Sequence, residues 1–240
     1  MAKLIALDDG HGMQTPGKRS PKLSDGTVML ENEFNRRVVY HLDRELKRCG
    51  FKTLLVAPSD EDVSLADRVK LANKKKADFY LSIHANAYNA KLDNAAGGIE
   101  TYAHFTYPKT VAKAEIIHKW VMKGTKMKNR GVKNGDWLYV CKNTAMEAVL
   151  TELGFMDNIE DLKHLMSESY RKECAVELAK ALCEIYDVKY IEEAKPQPKK
   201  EASTDGLWKV QVGAFSKKEN AQALAEKLEK EGYNTYIVKM

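Results

Sequence analysis

The sequence predicts an α/β fold: a mostly parallel central sheet with helices on both faces, followed by a small C-terminal β-α-β unit. Three observations predict it. Short apolar runs alternate with amphipathic stretches of helical period. Several of those runs are apolar almost throughout, as strands covered on both faces must be. And the runs stop at polar residues, as strands do where they reach the mouth of a parallel sheet.

The elements follow in order. "KLIALD" reads as the first strand. "ENEFNRRVVYHLDRELKRCG" is an amphipathic helix, with Phe34, Val38, Leu42 and Leu46 on one stripe and Gly50 as its stop. "FKTLLVA" is a second strand. "SLADRVKLANKKK" is a helix opened by Ser64, with Asp67 three residues on, a capping box with Asp in place of Glu. "ADFYLSIHAN" is a third strand ending beside a histidine. "GGIETYAH" reads as strand and "TVAKAEIIHKWVMKG" as helix. "AVLTELGF" is a buried strand leading into "NIEDLKHLMS" and the last long helix, "SYRKECAVELAKALCEIYDV". Near residue 190 the texture changes. "EEAKPQPKKEASTDG" is charged, carries two prolines and has no apolar periodicity, so residues 191–205 read as a linker. "LWKVQVGAF", "SKKENAQALAEKLEKEG" and "YNTYIVKM" then read as strand, helix and strand, a unit at 206–240 too small to bury a core alone.

The 240 residues suffice for one full-sized core plus that appendage, and 44% hydrophobic with 30% charged residues is ordinary for a globular chain. No apolar run is long enough to span a bilayer, so no membrane insertion is expected. The net charge of +5 suits anionic partners without selecting one, and the scattered lysines read as a solvated face. No nucleic-acid partner is expected. Cys49, Cys141, Cys174 and Cys183 show no C-x-x-C spacing and read as reduced, partly buried thiols. "MAKLIALDDG" reads as a strand rather than a secretory signal. Synthesis in the cytoplasm is therefore expected, with lysis as the route to any target outside.

Three strands end in chemistry-bearing residues: His11, His84 and Glu152. Glu31 and Glu33 open the first long helix. Two histidines and a carboxylate form a common catalytic zinc set with an open fourth position. A further glutamate beside it suits metal-assisted hydrolysis. Spacing alone leaves the alternatives open. There is no H-E-x-x-H, a histidine at a strand end is more often a hydrogen-bonded turn residue, and Glu31 could equally complement the helix dipole. Glu152 is costly to bury in an apolar strand without a partner, which marks it as a functional candidate.

"LDDGHGM", "ENEFN", "LADRVKLAN", "SIHAN", "GGIETY" and "VLTELGFMDN", in this order, resemble the zinc-dependent N-acetylmuramoyl-L-alanine amidases of the amidase-3 family, and especially its phage endolysin branch. The resemblance covers residues 1–188. It implies a peptidoglycan hydrolase that cleaves the amide between the lactyl group of N-acetylmuramic acid and L-alanine. It implies Zn2+ as cofactor and His11, Glu31 and His84 as ligands; Glu31 precedes Asn35 by the family's four positions, and Glu33 is second choice. It implies Glu152 as the catalytic glutamate. The sequence departs from the family at Asp9, where "DPGHGG" has proline, at Met13, and at Glu147, where a proline is usual. These departures touch the substrate rim and leave the ligand set intact.

Smaller expectations follow. Asp8 and Asp9 either orient His11 or simply end the strand. Arg68 is expected in a structural ion pair. His41, His104, His118 and His164 are expected on the surface or on helix faces. Asn86 and Asn158 either bind substrate or cap turns, and Glu100 lies near the pocket without a role. The tail resembles the SPOR repeat, a binder of peptidoglycan glycan strands, through Trp208, Gln211, Gly213 and Phe215. Only one half of such a domain is present: either two chains combine their halves into a homodimer, or the sequence stops short of the second half, or the half binds weakly. Two rival functions stand beside the amidase: a different zinc metallopeptidase acting on wall peptides, and a non-catalytic wall-binding protein.

Overall fold

The structure is a computed structural model that describes residues 2–193 and 210–238. The chain divides into two units, Met1–Glu193 and Ala194–Met240.

The larger unit is a six-stranded sheet in the order β2-β1-β3-β6-β4-β5. Its strands are β1 (Leu4–Asp8), β2 (Lys52–Leu55), β3 (Phe79–Asn86), β4 (Ile99–Ala103), β5 (Asn129–Asn134) and β6 (Glu147–Phe155). Strands β2, β1, β3 and β6 run parallel. Strand β4 is antiparallel to β6, and β5 is parallel to β4. The parallel part carries the residues expected at strand ends. The reversed pair brings the start of β4, with Glu100, opposite Glu152 of β6.

Both faces of the sheet are covered, which accounts for the unbroken apolar runs. Helices α1 (Glu31–Arg48), α3 (Pro108–Lys123) and α6 (Glu168–Ile185) share one face. There Phe34, Val38 and Leu42 of α1 pack with Ile5, Leu81 and Ile83 of the sheet and Leu178 and Leu182 of α6. The predicted α1 stripe is wholly buried. Gly50, at a φ of +87°, lets the chain leave the helix in the left-handed region. Helices α2 (Leu65–Lys74) and α4 (Tyr139–Asn143) cover the other face, where Ala6, Tyr80 and Leu150 meet Val69, Ala72 and Val140. Ser64 caps α2 as expected: its hydroxyl accepts from the Asp67 N–H at 3.1 Å and donates to the Asp67 carboxylate at 2.7 Å. Helix α5 (Ile159–Leu165) links β6 to α6. All four cysteines are free and buried. Among the described residues, no helix is long and apolar enough to cross a membrane.

In the smaller unit, helix α7 (Lys218–Lys230) forms as predicted. The flanking strands do not: 210–215 and 233–238 carry no sheet pairing among the described residues. A strand is defined by the ladder it joins, and two short segments around one helix supply too few partners. Val210, Val212, Tyr233 and Val238 stay exposed. Trp208 and most of the expected linker, 194–205, lie outside the described residues.

Candidate active site

Strand β1 delivers its last residue, Asp8, to the mouth of the sheet. The chain then turns sharply, through Gly10 at a φ of +24° and His11 at +63°. His11 thus adopts a backbone conformation that non-glycine residues seldom take. Its neighbours hold it there. Asn32, in the first turn of α1, donates its side-chain amide to the carbonyls of Asp9 (2.6 Å), Gly10 (2.9 Å) and His11 (3.1 Å). Asn35 adds a bond to the Gly10 carbonyl at 3.2 Å. Arg68 of α2 donates Nη2 to the His11 carbonyl at 2.6 Å.

Helix α1 begins at this loop, so its first residue, Glu31, enters the site with its carboxylate buried. Oε1 lies 2.9 Å from Nδ1 of His84 and 3.4 Å from Nε2 of His11. The two imidazoles meet edge to face, with ring centroids 4.9 Å apart. One ligand-type atom from each of His11, Glu31 and His84 falls within 4.8 Å of the others. The second carboxylate oxygen of Glu31 is buried without a hydrogen bond, and the nearest cation is Lys18 Nζ at 3.9 Å. A buried acceptor left over beside two imidazole nitrogens is what a small divalent cation would satisfy. The donor set therefore fits zinc. The cradle is close: a Cβ on Gly10 would lie 2.3 Å from Cε1 of His84, so only glycine lets that ring sit where it does.

Burial raises the Glu31 carboxyl, but hydrogen bonds from His11 and His84 overcome it and hold the group well below the ordinary carboxylate range. For His84, burial disfavours the charged ring, yet its contact with Glu31 wins and lifts the pKa. Glu33, the second-choice ligand, is bound by Arg171 at 2.8 and 2.7 Å and does not join the histidines.

Glu152 stands in register with His84 on the neighbouring strand and with Glu100 on the other side. Its Oε2 is buried without a partner. Burial pushes its pKa up to about 8; His84 and Lys18 oppose the shift, and the charges of Glu31 and Glu100 add to it. A carboxyl poised this close to neutrality can both take and return a proton. Glu100 itself is occupied, accepting from Asn86 at 3.2 Å, from Tyr102 at 2.6 Å and from Arg130. A cavity of about 340 Å³ opens beside His11 and His84, with Asp62, Val63, Ser64 and Leu65 on its far wall.

The remaining candidates sort by contact. Asp8 faces Arg68, Tyr80 and Ser82 rather than His11. Asp9 pairs with Arg36 at 3.3 Å, and burial raises its pKa. Arg68 forms the expected ion pair, with Asp8 at 2.6 Å, and is almost fully buried. Asn86 binds Glu100, and Asn158 caps α5 by accepting from the Glu160 and Asp161 N–H groups. His118 on α3 is buried between Thr101 and Asn129, and His41 on α1 is buried against Glu168, so both sit on helix faces, away from the surface. His104 lies beside Asp136 and His164 beside Tyr170. Sequence reasoning gave no role to Asn32 or Ser82, and used Asn35 only as a marker of the Glu31 spacing. The i, i+3 spacing of the two asparagines on the helix that carries Glu31 was the available signal.

The comparisons with known proteins identify the family. Residues 5–184 match the N-acetylmuramoyl-L-alanine amidase family model, and residues 204–240 match the SPOR domain model. The chain is 32% identical over 238 residues to the sporulation-specific N-acetylmuramoyl-L-alanine amidase of Bacillus subtilis, covering 98% of this chain and 84% of that one. It is 32% identical over 222 residues to the endolysin of Bacillus phage SPP1, covering 88% and 76%. The fold superposes on the catalytic domain of CwlV, an N-acetylmuramoyl-L-alanine amidase from Bacillus (Paenibacillus) polymyxa var. colistinus, with a TM-score of 0.70 at 29% identity, over 78% of this chain and 99% of that one. With the family model spanning most of the sheet and the site, the chain belongs to the N-acetylmuramoyl-L-alanine amidase family and is a peptidoglycan hydrolase with a SPOR match at its C-terminal end.

Proposed function

We propose that this chain hydrolyses the amide between the lactyl group of N-acetylmuramic acid and L-alanine, with zinc held by His11, Glu31 and His84 and with Glu152 as the catalytic glutamate. The observation that carries this reading is the convergence of the His11, Glu31 and His84 ligand atoms within 4.8 Å, beside an unpartnered carboxylate on the adjacent strand. A bound zinc would acidify a water and polarise the scissile carbonyl. The chain's own residues do the rest. Glu152 takes a proton from the attacking water at its unpartnered Oε2, then delivers it to the departing L-alanine nitrogen. Burial raises the carboxyl to about 8 in the metal-free site, and a cation held by the neighbouring ligands would draw it back toward the ionised form that accepts the proton. The ion pair that Arg171 makes keeps Glu33 out of the reaction.

The SPOR match supports glycan binding by the smaller unit. The exposed Val210, Val212 and Val238 beside α7 support its completion by a second copy, giving a homodimer through the half repeat. The kinship with a phage endolysin and a sporulation-specific amidase supports action on the wall after release by lysis.

The test is digestion of purified peptidoglycan with and without chelator, beside Glu152→Ala. New L-alanine amino termini without new reducing sugar ends, lost with chelator and in the variant, are expected. Cleavage within the stem peptide would favour the metallopeptidase, and wall binding without bond cleavage the binding protein.

A further inference from the structure

Beneath the candidate centre lies a buried polar cluster that the proposed mechanism does not use. Asp8 and Arg68 are each about 1% exposed. Arg68 spends every arm of its guanidinium: Nε on the Val63 carbonyl at 2.8 Å, Nη1 on Asp8 Oδ1 at 2.6 Å, and Nη2 on the His11 carbonyl at 2.6 Å. The other Asp8 oxygen accepts from Tyr80 at 2.9 Å and from Ser82 at 2.7 Å. Ser82 Oγ also lies 3.1 Å from Nε2 of His84. A serine hydroxyl has one proton. Asp8, paired with Arg68, receives it, so Ser82 can only accept from His84. Nε2 of His84 therefore keeps its proton, and Nδ1, which donates to Glu31 at 2.9 Å in this structure, is the nitrogen left to give up a proton and bind a cation.

We infer that the buried Asp8–Arg68 pair is a single positioning unit for both histidines of the candidate centre. Through Ser82 it selects Nδ1 of His84 as the ligand atom. Through the His11 carbonyl it holds the left-handed backbone from which that side chain projects. A buried ion pair is poor value for stability alone, because two charges must be desolvated. It becomes intelligible where its spare hydrogen-bonding capacity orients ligands. This inference rests on the reading of His11, Glu31 and His84 as a metal site.

The test measures zinc affinity by chelator competition, the visible spectrum of the cobalt-loaded protein and the melting of the metal-free chain. The full chain is compared with Ser82→Ala, Arg68→Lys and, as a control, Thr101→Val. Thr101 is a buried strand hydroxyl bonded to His118, outside the cluster. Ser82→Ala and Arg68→Lys are expected to weaken zinc binding roughly ten- to a hundred-fold and to alter the cobalt spectrum, while still melting cooperatively. Thr101→Val is expected to bind as the unaltered chain does. Binding within twofold of the unaltered chain in Ser82→Ala would overturn the inference. So would an equal loss in Thr101→Val, which would signal general loosening. Failure of the unaltered chain to bind zinc or cobalt would overturn the metal-site reading itself, and this inference with it.

Discussion

At the scale of single residues, the site turns on positions where one atom decides. Gly10 is one. Its Cβ would collide with the His84 ring, and its φ is already positive. Gly10→Ala should leave the far-UV spectrum intact while lowering zinc affinity at least about tenfold, by displacing a ligand ring. Glu152 is another. Its pKa in the folded, metal-free chain lies near 8, above the 4.5 ordinary for a glutamate. Between those values the folded chain keeps a proton that the unfolded chain has released, so stability falls as pH rises. His84, also raised, contributes in the same direction. In chelator, the melting temperature should therefore decline from about pH 4.5 toward pH 8, and Glu152→Gln should flatten part of that slope. His84 and Glu152 were legible because strands reveal themselves by apolar runs and these residues interrupt them, and His11 because it follows such a run by three residues. Glu31 was not, except by family resemblance. Its spacing from His11 means nothing until the loop between them folds back, and that return depends on Asn32 and Asn35 gathering three carbonyls.

At the scale of elements, the structure follows its periodicities where they are long and departs where they are short. Helix α1 runs as its stripe predicted, with Leu42 fully buried at the centre. Leu42→Ala should cost about 2–5 kcal/mol in denaturant unfolding, with metal affinity retained by whatever fraction stays folded. Strand β5 escaped the sequence because "NRGVKN" is polar and sits at the sheet edge, where only one side is paired. Helix α4 escaped because "YVCKN" is a single turn and a half, too short for a period to show. In the half repeat only the strands went unmade, among the described residues. Its strand-forming residues are present, but propensity without a neighbour makes no sheet.

At the scale of the molecule, the two units are separable in kind. Residues 1–193 hold, among the described residues, the whole sheet, both apolar clusters and every candidate catalytic and metal-holding residue. That unit alone should fold and cleave soluble muropeptides at the full-length rate. It should sediment less with intact sacculi, by about tenfold if the SPOR-matching segment supplies a second contact. An equal loss on both substrates would show that the smaller unit supports the fold instead.

The strand order has a further consequence, for synthesis. His11, Glu31 and His84 all emerge from the ribosome before residue 87, whereas the partner of β3 is β6, whose first paired residue, Glu147, sits opposite Phe79. Translation therefore delivers the whole ligand set about seventy residues before it delivers Glu152. At about 5–20 residues per second, the apolar edge of β3 waits several seconds for its neighbour. During that interval the nascent chain carries the candidate ligand residues without Glu152, and the β6-facing edge of β3 stays unpaired.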